Sequence, residues 1–199
     1  MDKTNKWSVK DVITTVLLTV LLIVIQLVIN MVCMVNDFVS MVLSVGITMF
    51  VCASIYFLMV SRVKKRFVTF VYMTILGLVF LIMGNWYLLP YFMIIGLICE
   101  AILWKNGWES KTKMAVSWTL SSLLYNGVNL LPLWFFWDTY YDFALASGME
   151  QSYVDSFIYY YTSPTWLIFI IVFTTLCGFI GSLIAGKLLN KHFKKAGIL

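Results

Sequence analysis

Long apolar runs, broken by short polar clusters, dominate the chain from Val9 onward. Six of them have the length of a membrane crossing, at roughly 9–33, 38–60, 67–84, 86–104, 113–137 and 163–189. An α-helix needs about 20 apolar residues to cross a hydrocarbon core. No sustained alternation of apolar and polar positions appears, which argues against a β-barrel. Helices are then the way to satisfy the backbone inside lipid. The expected fold is all-α: six transmembrane helices in one bundle, with residues 1–199 forming a single integral membrane domain. The first run is longer than a cleavable signal peptide and lacks the small-residue cleavage site. The segment 138–162, DTYYDFALASGMEQSYVDSFIYYYT, is the one long connection. Its amphipathic patches predict a folded lid, since long ordered loops tend to carry function.

Charge fixes an expected orientation. Lys3, Lys6 and Lys10 precede the first run, and Arg62, Lys64, Lys65 and Arg66 follow the second. Lys105, Lys111 and Lys113 lie between the fourth and fifth, and Lys187, Lys191, Lys194 and Lys195 close the chain. These are all 14 Lys and Arg residues, and in a six-crossing chain they share one side. The positive-inside rule makes that side cytoplasmic, together with both ends. The net charge of +5 is therefore a signal of topology and gives no support to nucleic-acid binding. The opposite side carries Asp37, Asp138, Asp142, Glu150 and Asp155. Composition agrees: 62% of residues are hydrophobic and 12% charged, more apolar surface than a soluble domain of 199 residues could hide.

Candidate chemistry is sparse. Cys33, Cys52, Cys99 and Cys177 lack metal-type spacing and read as packing residues. His192 is the single histidine, so neither a histidine metal site nor a catalytic triad is expected. There is no GxxxxGK followed by Ser or Thr, no HExxH and no GxSxG, so no ATP-binding loop, catalytic residue or cofactor is expected. Glu100, the one acid inside a run apart from Asp11 at the start of the first, lies near Lys105 and suits a structural or interfacial role better than proton relay. Gly178, Ser182 and Gly186, like Gly181 and Ala185, repeat every four residues on the last run. That spacing suits close helix contact, either within the chain or with a partner membrane helix.

Amides inside the spans are the leading candidates for solute binding, because burying them in hydrocarbon is costly. Gln26 and Asn30 share one face of the first helix and Asn126 and Asn129 one face of the fifth. Gln26 and Asn126 lie roughly 20–24 Å from the cationic ends at about 1.5 Å per residue. Asn85 sits slightly further out. The alternative role for all of them is interhelical hydrogen bonding. Trp86, Trp134 and Trp137, with Asp138 beside them and many tyrosines in 138–162, enrich the same level in aromatic groups. Part of this is the usual interfacial belt. An aromatic, amide-bearing cavity without Lys or Arg suits a flat, mostly uncharged small molecule and not a polyanion.

Several short stretches resemble one known family. They are Val9-Lys10-Asp11-Val12-Ile13, Gly84-Asn85-Trp86-Tyr87, Leu131-Pro132-Leu133-Trp134-Phe135 with Asp138 and Tyr140, and Lys187-Leu188-Leu189 followed by Lys191-His192-Phe193-Lys194-Lys195-Ala196-Gly197-Ile198. Together they resemble the MptD-type S components of energy-coupling factor (ECF) transporters. The resemblance implies the substrate-capturing subunit of a bacterial vitamin or micronutrient importer. Such a subunit lies in the cell membrane, binds solute near the outer face and docks on a transmembrane T component driven by two cytosolic ATPases. In S components an Ala-xxx-Ala motif on the first helix contacts the T component, and Thr15 and Thr19 occupy the equivalent place here. The rival readings are a small self-contained carrier or channel and a non-transport regulatory subunit.

Overall fold

The computed structural model describes residues 6–189. Lys3, Lys191, His192, Lys194 and Lys195, and most of the C-terminal stretch that carries the resemblance, lie outside the described residues. Within them the chain is an all-α bundle without strands: α1 (Val9–Cys33), α2 (Ser44–Val63), α3 (Val68–Ile82), α4 (Leu88–Ile102), α5 (Lys111–Tyr125), α6 (Gly127–Phe135), α7 (Trp137–Ala146), α8 (Gln151–Thr162) and α9 (Pro164–Leu188). A π-helical turn, Val39–Leu43, runs directly into α2.

Local chemistry sets the helix ends. Ser8 and Asp11 form a reciprocal capping box at the start of α1. Ser110 accepts from the Lys113 backbone N–H and caps α5. Pro164 opens α9, where its missing N–H costs nothing. The start of α3 is capped from another helix: Glu100 Oε1 accepts from the backbone N–H groups of Thr69 at 2.7 Å and Phe70 at 3.4 Å. A carboxylate beside a helix N-terminus also meets the positive end of its dipole. The intramembrane acid is thus a structural cap that joins α4 to α3.

α2 is the central helix, packed against α9, α1 and α5, while α3 and α4 form a close hairpin. Tyr56 and Trp118 stack at 4.6 Å in the middle of the core. The Tyr56 hydroxyl also meets Thr69 Oγ1 at 3.1 Å and Ser117 Oγ at 2.9 Å, tying α2, α3 and α5 together. α1 and α9 instead leave broad apolar faces uncovered, with Leu17, Val20 and Val24 exposed on α1 and Val172, Leu176 and Leu183 on α9. Such faces are stable against lipid and not against water. The chain is therefore a polytopic α-helical membrane protein.

The runs map unequally onto helices. Three helical segments, Val9–Cys33, Val39–Val63 and Pro164–Leu188, have the length and hydropathy of full crossings. α3 and α4 are apolar but have only 15 residues each. The expected fifth span, 113–137, is interrupted. α5 ends at Tyr125 and α6 begins at Gly127. Two side chains hold the break. Asn126 Nδ2 donates to the carbonyls of Ser122 and Leu123, and the Tyr91 hydroxyl donates to the carbonyl of Leu124 at 2.5 Å. These carbonyls lie in the last turn of α5, where a terminated helix leaves acceptors to be satisfied.

The described cations lie at one end of the bundle. Lys65 Nζ is 3.8 Å from Asp11 Oδ2, and the Trp7 indole donates to the Arg66 carbonyl. Arg66 sits over the Trp104 ring at 4.4 Å, and Lys113 Nζ donates to the Trp104 carbonyl. The acids Asp37, Asp138, Asp142, Glu150 and Asp155 occupy the loops and short helices at the other end.

Candidate functional site

At the acidic end a cavity of about 260 Å³ opens between α1, the π-helical turn, α3 and the α5–α6 junction, beneath α7 and α8. Gln26 and Asn30 reach it from α1, Ser40 and Met41 from the π-helical turn, Leu76 and Phe80 from α3, and Tyr125 and Asn129 from the junction. Tyr140, Tyr153, Phe157 and Tyr161 complete it from the lid. Among the described residues no charged one lines it.

The amides form bonds that fix their orientation. Asn30 Nδ2 donates to the backbone carbonyl of Gln26 at 2.8 Å. Asn129 Nδ2 donates to the Tyr161 hydroxyl at 2.6 Å, and that hydroxyl donates to the carbonyl of Met41 at 2.9 Å. A carbonyl can only accept, so the Asn30 amide nitrogen is assigned by its partner. The Tyr161 proton is committed to Met41, which makes Asn129 a donor in turn. Gln26 Nε2 pairs with the buried Tyr72 hydroxyl at 2.7 Å. The carbonyl oxygens of Asn30 and Asn129 then have no protein partner among the described residues, and Gln26 Oε1 is buried without one. A buried acceptor without a partner is uncommon and costly. The site therefore offers spare acceptors in an apolar, aromatic wall.

The lid is a helical hairpin, α7 and α8, turning at Gly148 with a φ of +71° that suits glycine. Three polar contacts fasten it. Ser156 Oγ donates to Asp37 Oδ2 at 2.8 Å, Ser40 Oγ and the Tyr153 hydroxyl share a bond of 3.0 Å, and Tyr161 reaches Met41. Tyr140 stacks on Phe157 at 4.9 Å, and Phe157 packs on Tyr161 at 5.1 Å. Burial, with a lesser repulsion from Tyr153, pushes the Tyr140 hydroxyl well above its ordinary pKa. It stays a neutral donor near the cavity.

Of the nine residues expected to bind solute, three meet here: Gln26, Asn30 and Asn129. The other six lie elsewhere. Asn85 is buried in the α3–α4 turn, where its side-chain oxygen accepts from the Tyr87 hydroxyl at 2.8 Å. Trp86 packs edge-on against Phe136 with half its surface exposed. Asn126 serves the helix break and faces, with Trp134, a separate shallow cleft between α4, α5, α6 and α9. Trp134 is 58% exposed, as suits an interfacial belt. Trp137 stacks on Tyr141, and Asp138 is exposed in the first turn of α7. Depth along the chain placed these residues at one level but could not give the helix faces. Sequence reasoning passed over Tyr72, Ser40 and Ser44. The last two, four apart, were a polar signal within the second run.

Thr15 and Thr19 do not form a docking face. Both are fully buried. Thr15 Oγ1 donates to the Asp11 carbonyl, and Thr19 Oγ1 meets Met59 Sδ of α2 at 3.7 Å. Their small size lets α2 approach α1, so this side of α1 is already occupied. Among the described residues no cluster of His, Cys, Asp and Glu could hold a metal.

Comparison with known proteins adds a family. No curated protein and no solved structure matches the chain. A family model described as a hypothetical bacterial integral membrane protein (Trep_Strep) matches residues 9–195, and the chain belongs to that family.

Proposed function

We propose that this protein is the solute-capturing membrane subunit of an ECF-type importer for a vitamin or other micronutrient. The observation that carries the reading is the charge-free cavity under the α7–α8 lid, with spare amide acceptors at the acidic end. A flat, uncharged solute with N–H or O–H groups suits such a wall. The expected orientation puts this end outside the bacterial cell, where an importer must capture its solute. The chain contains no ATP-binding motif, so import would need partners: a T component and two cytosolic ATPases. The buried Thr15 and Thr19 leave the exposed face of α1, with Leu17, Val20 and Val24, as the surface for the T component. In this reading the chain catalyses no reaction and needs no cofactor.

Native mass spectrometry of the gently purified protein should reveal a co-purified neutral small molecule. Asn30→Leu is the informative variant, because it removes an amide without stranding a buried side-chain partner. A lost neutral hydrogen bond of about 0.5–1.5 kcal/mol corresponds to roughly 2- to 13-fold weaker binding. The melting temperature should hardly move. Undiminished solute binding by Asn30→Leu would take this amide out of the site. Solute accumulation by the chain alone in liposomes would favour a self-contained carrier.

A further inference from the structure

We propose that the groove between α5 and α9 at the cationic end holds one anionic phospholipid of the adjoining leaflet, with its phosphate on Lys111 and Lys187. The groove has a volume of about 570 Å³ and is separate from the lidded cavity, so the idea does not depend on the solute reading. Lys111 is the first residue of α5 and Lys187 lies in the last turn of the antiparallel α9, which puts both at one mouth. Among the described residues neither lysine has a carboxylate partner. Gly186, next to Lys187, faces the Lys111 stem: a Cβ added there would sit 3.6 Å from Lys111 Cδ.

Below the lysines the walls are mainly apolar, built by Val116 and Leu120 of α5 and Phe179 and Leu183 of α9, with Thr119 and Thr175 among them. Val116, Phe179 and Leu183 are exposed on the faces that α5 and α9 turn towards lipid. From Lys111 to Leu123 the wall descends roughly 18 Å at about 1.5 Å per residue. One leaflet of hydrocarbon is about 15 Å thick, half of the roughly 30 Å core. The groove thus matches an acyl chain in length, and cations stand where its headgroup would lie. An anionic headgroup supplies the counter-charge that the two lysines lack among the described residues.

The test is native mass spectrometry of the purified full chain, titrated with phosphatidylglycerol or phosphatidylcholine. One phosphatidylglycerol should remain bound at concentrations where phosphatidylcholine is lost. Lys111→Gln with Lys187→Gln should weaken phosphatidylglycerol binding roughly 30-fold, since each lysine near an anionic lipid surface contributes about fivefold. Phosphatidylcholine binding should not change. Val116→Trp should remove both lipids by filling the groove, and Lys105→Gln, outside it, should change neither. Equal affinity for the two lipids, or full phosphatidylglycerol retention by the double variant, would overturn the proposal. So would loss of a co-expressed membrane partner from Val116→Trp with the lipid retained, which would assign the groove to a protein helix.

Discussion

One hydroxyl, that of Tyr161, joins three elements. It accepts from Asn129 of α6, donates to Met41 of the π-helical turn and is carried by α8. The residue is 1% exposed. Tyr161→Phe keeps the ring packing on Phe157 but removes the hydroxyl that serves the Asn129 amide and the Met41 carbonyl. An unsatisfied buried polar group costs about 1–3 kcal/mol. The variant should therefore melt at a lower temperature and expose the α7–α8 hairpin to protease sooner than the wild type. An unchanged melting point together with unchanged proteolysis would show that the lid is held by its apolar contacts alone. The three cavity amides differ from Tyr161 in this respect. Each uses its nitrogen for the fold and leaves its oxygen spare, which is how a site can be rigid before a ligand arrives.

Among the elements, α9 shows how small residues select a partner. A Cβ on Gly181 would lie 2.6 Å from the Phe50 carbonyl oxygen and 2.9 Å from Phe50 Cα, both backbone atoms of α2. At Gly186 the nearest atoms would be 3.6–4.0 Å away, ordinary contact. Gly181→Ala should thus destabilise the bundle by about 1–3 kcal/mol, the usual range for overpacking, while Gly186→Ala should be nearly silent in thermal unfolding. Similar melting temperatures for the two would mean that α9 and α2 can part without loss. This spacing allowed contact either within the chain or with a partner, and the structure spends Gly181 inside the chain. Other elements were more legible. The uninterrupted apolar runs of α1 and α9 each became one 25-residue helix, and the amphipathic patches of 138–162 became two. The break at Asn126 was not legible. It sits inside an apolar run and depends on Tyr91, a residue of another helix, which no local pattern announces. For the same reason only Gln26, Asn30 and Asn129 of the nine expected solute residues line this cavity, beside Tyr140, Tyr153 and Tyr161 of the tyrosine-rich segment.

For the whole molecule the short helices set the number of crossings. α1, α2 and α9 can each cross alone, but α3 and α4 at about 22 Å are shorter than the roughly 30 Å core. The α3–α4 hairpin could therefore cross fully or dip and return. Two contacts favour crossing. Its open end is joined to the cationic end through Glu100 and the α3 N-terminus, near Arg66 and Trp104. Its turn meets the acidic end, where Tyr87 stacks on Phe136 at 4.3 Å beside α7. The hairpin thus links the same two layers as the full-length helices. Local thinning of the bilayer, at a fraction of a kcal/mol per Å, can take up the mismatch. The expected topology follows in a variant free of the four native cysteines. Trp86→Cys and Ser147→Cys should react with an impermeant thiol reagent applied outside intact cells. Lys64→Cys and Lys105→Cys should react only after the inner face is opened. A Trp86→Cys variant that stays unreactive from outside, while Ser147→Cys reacts, would make the hairpin re-entrant and reduce the crossings to four.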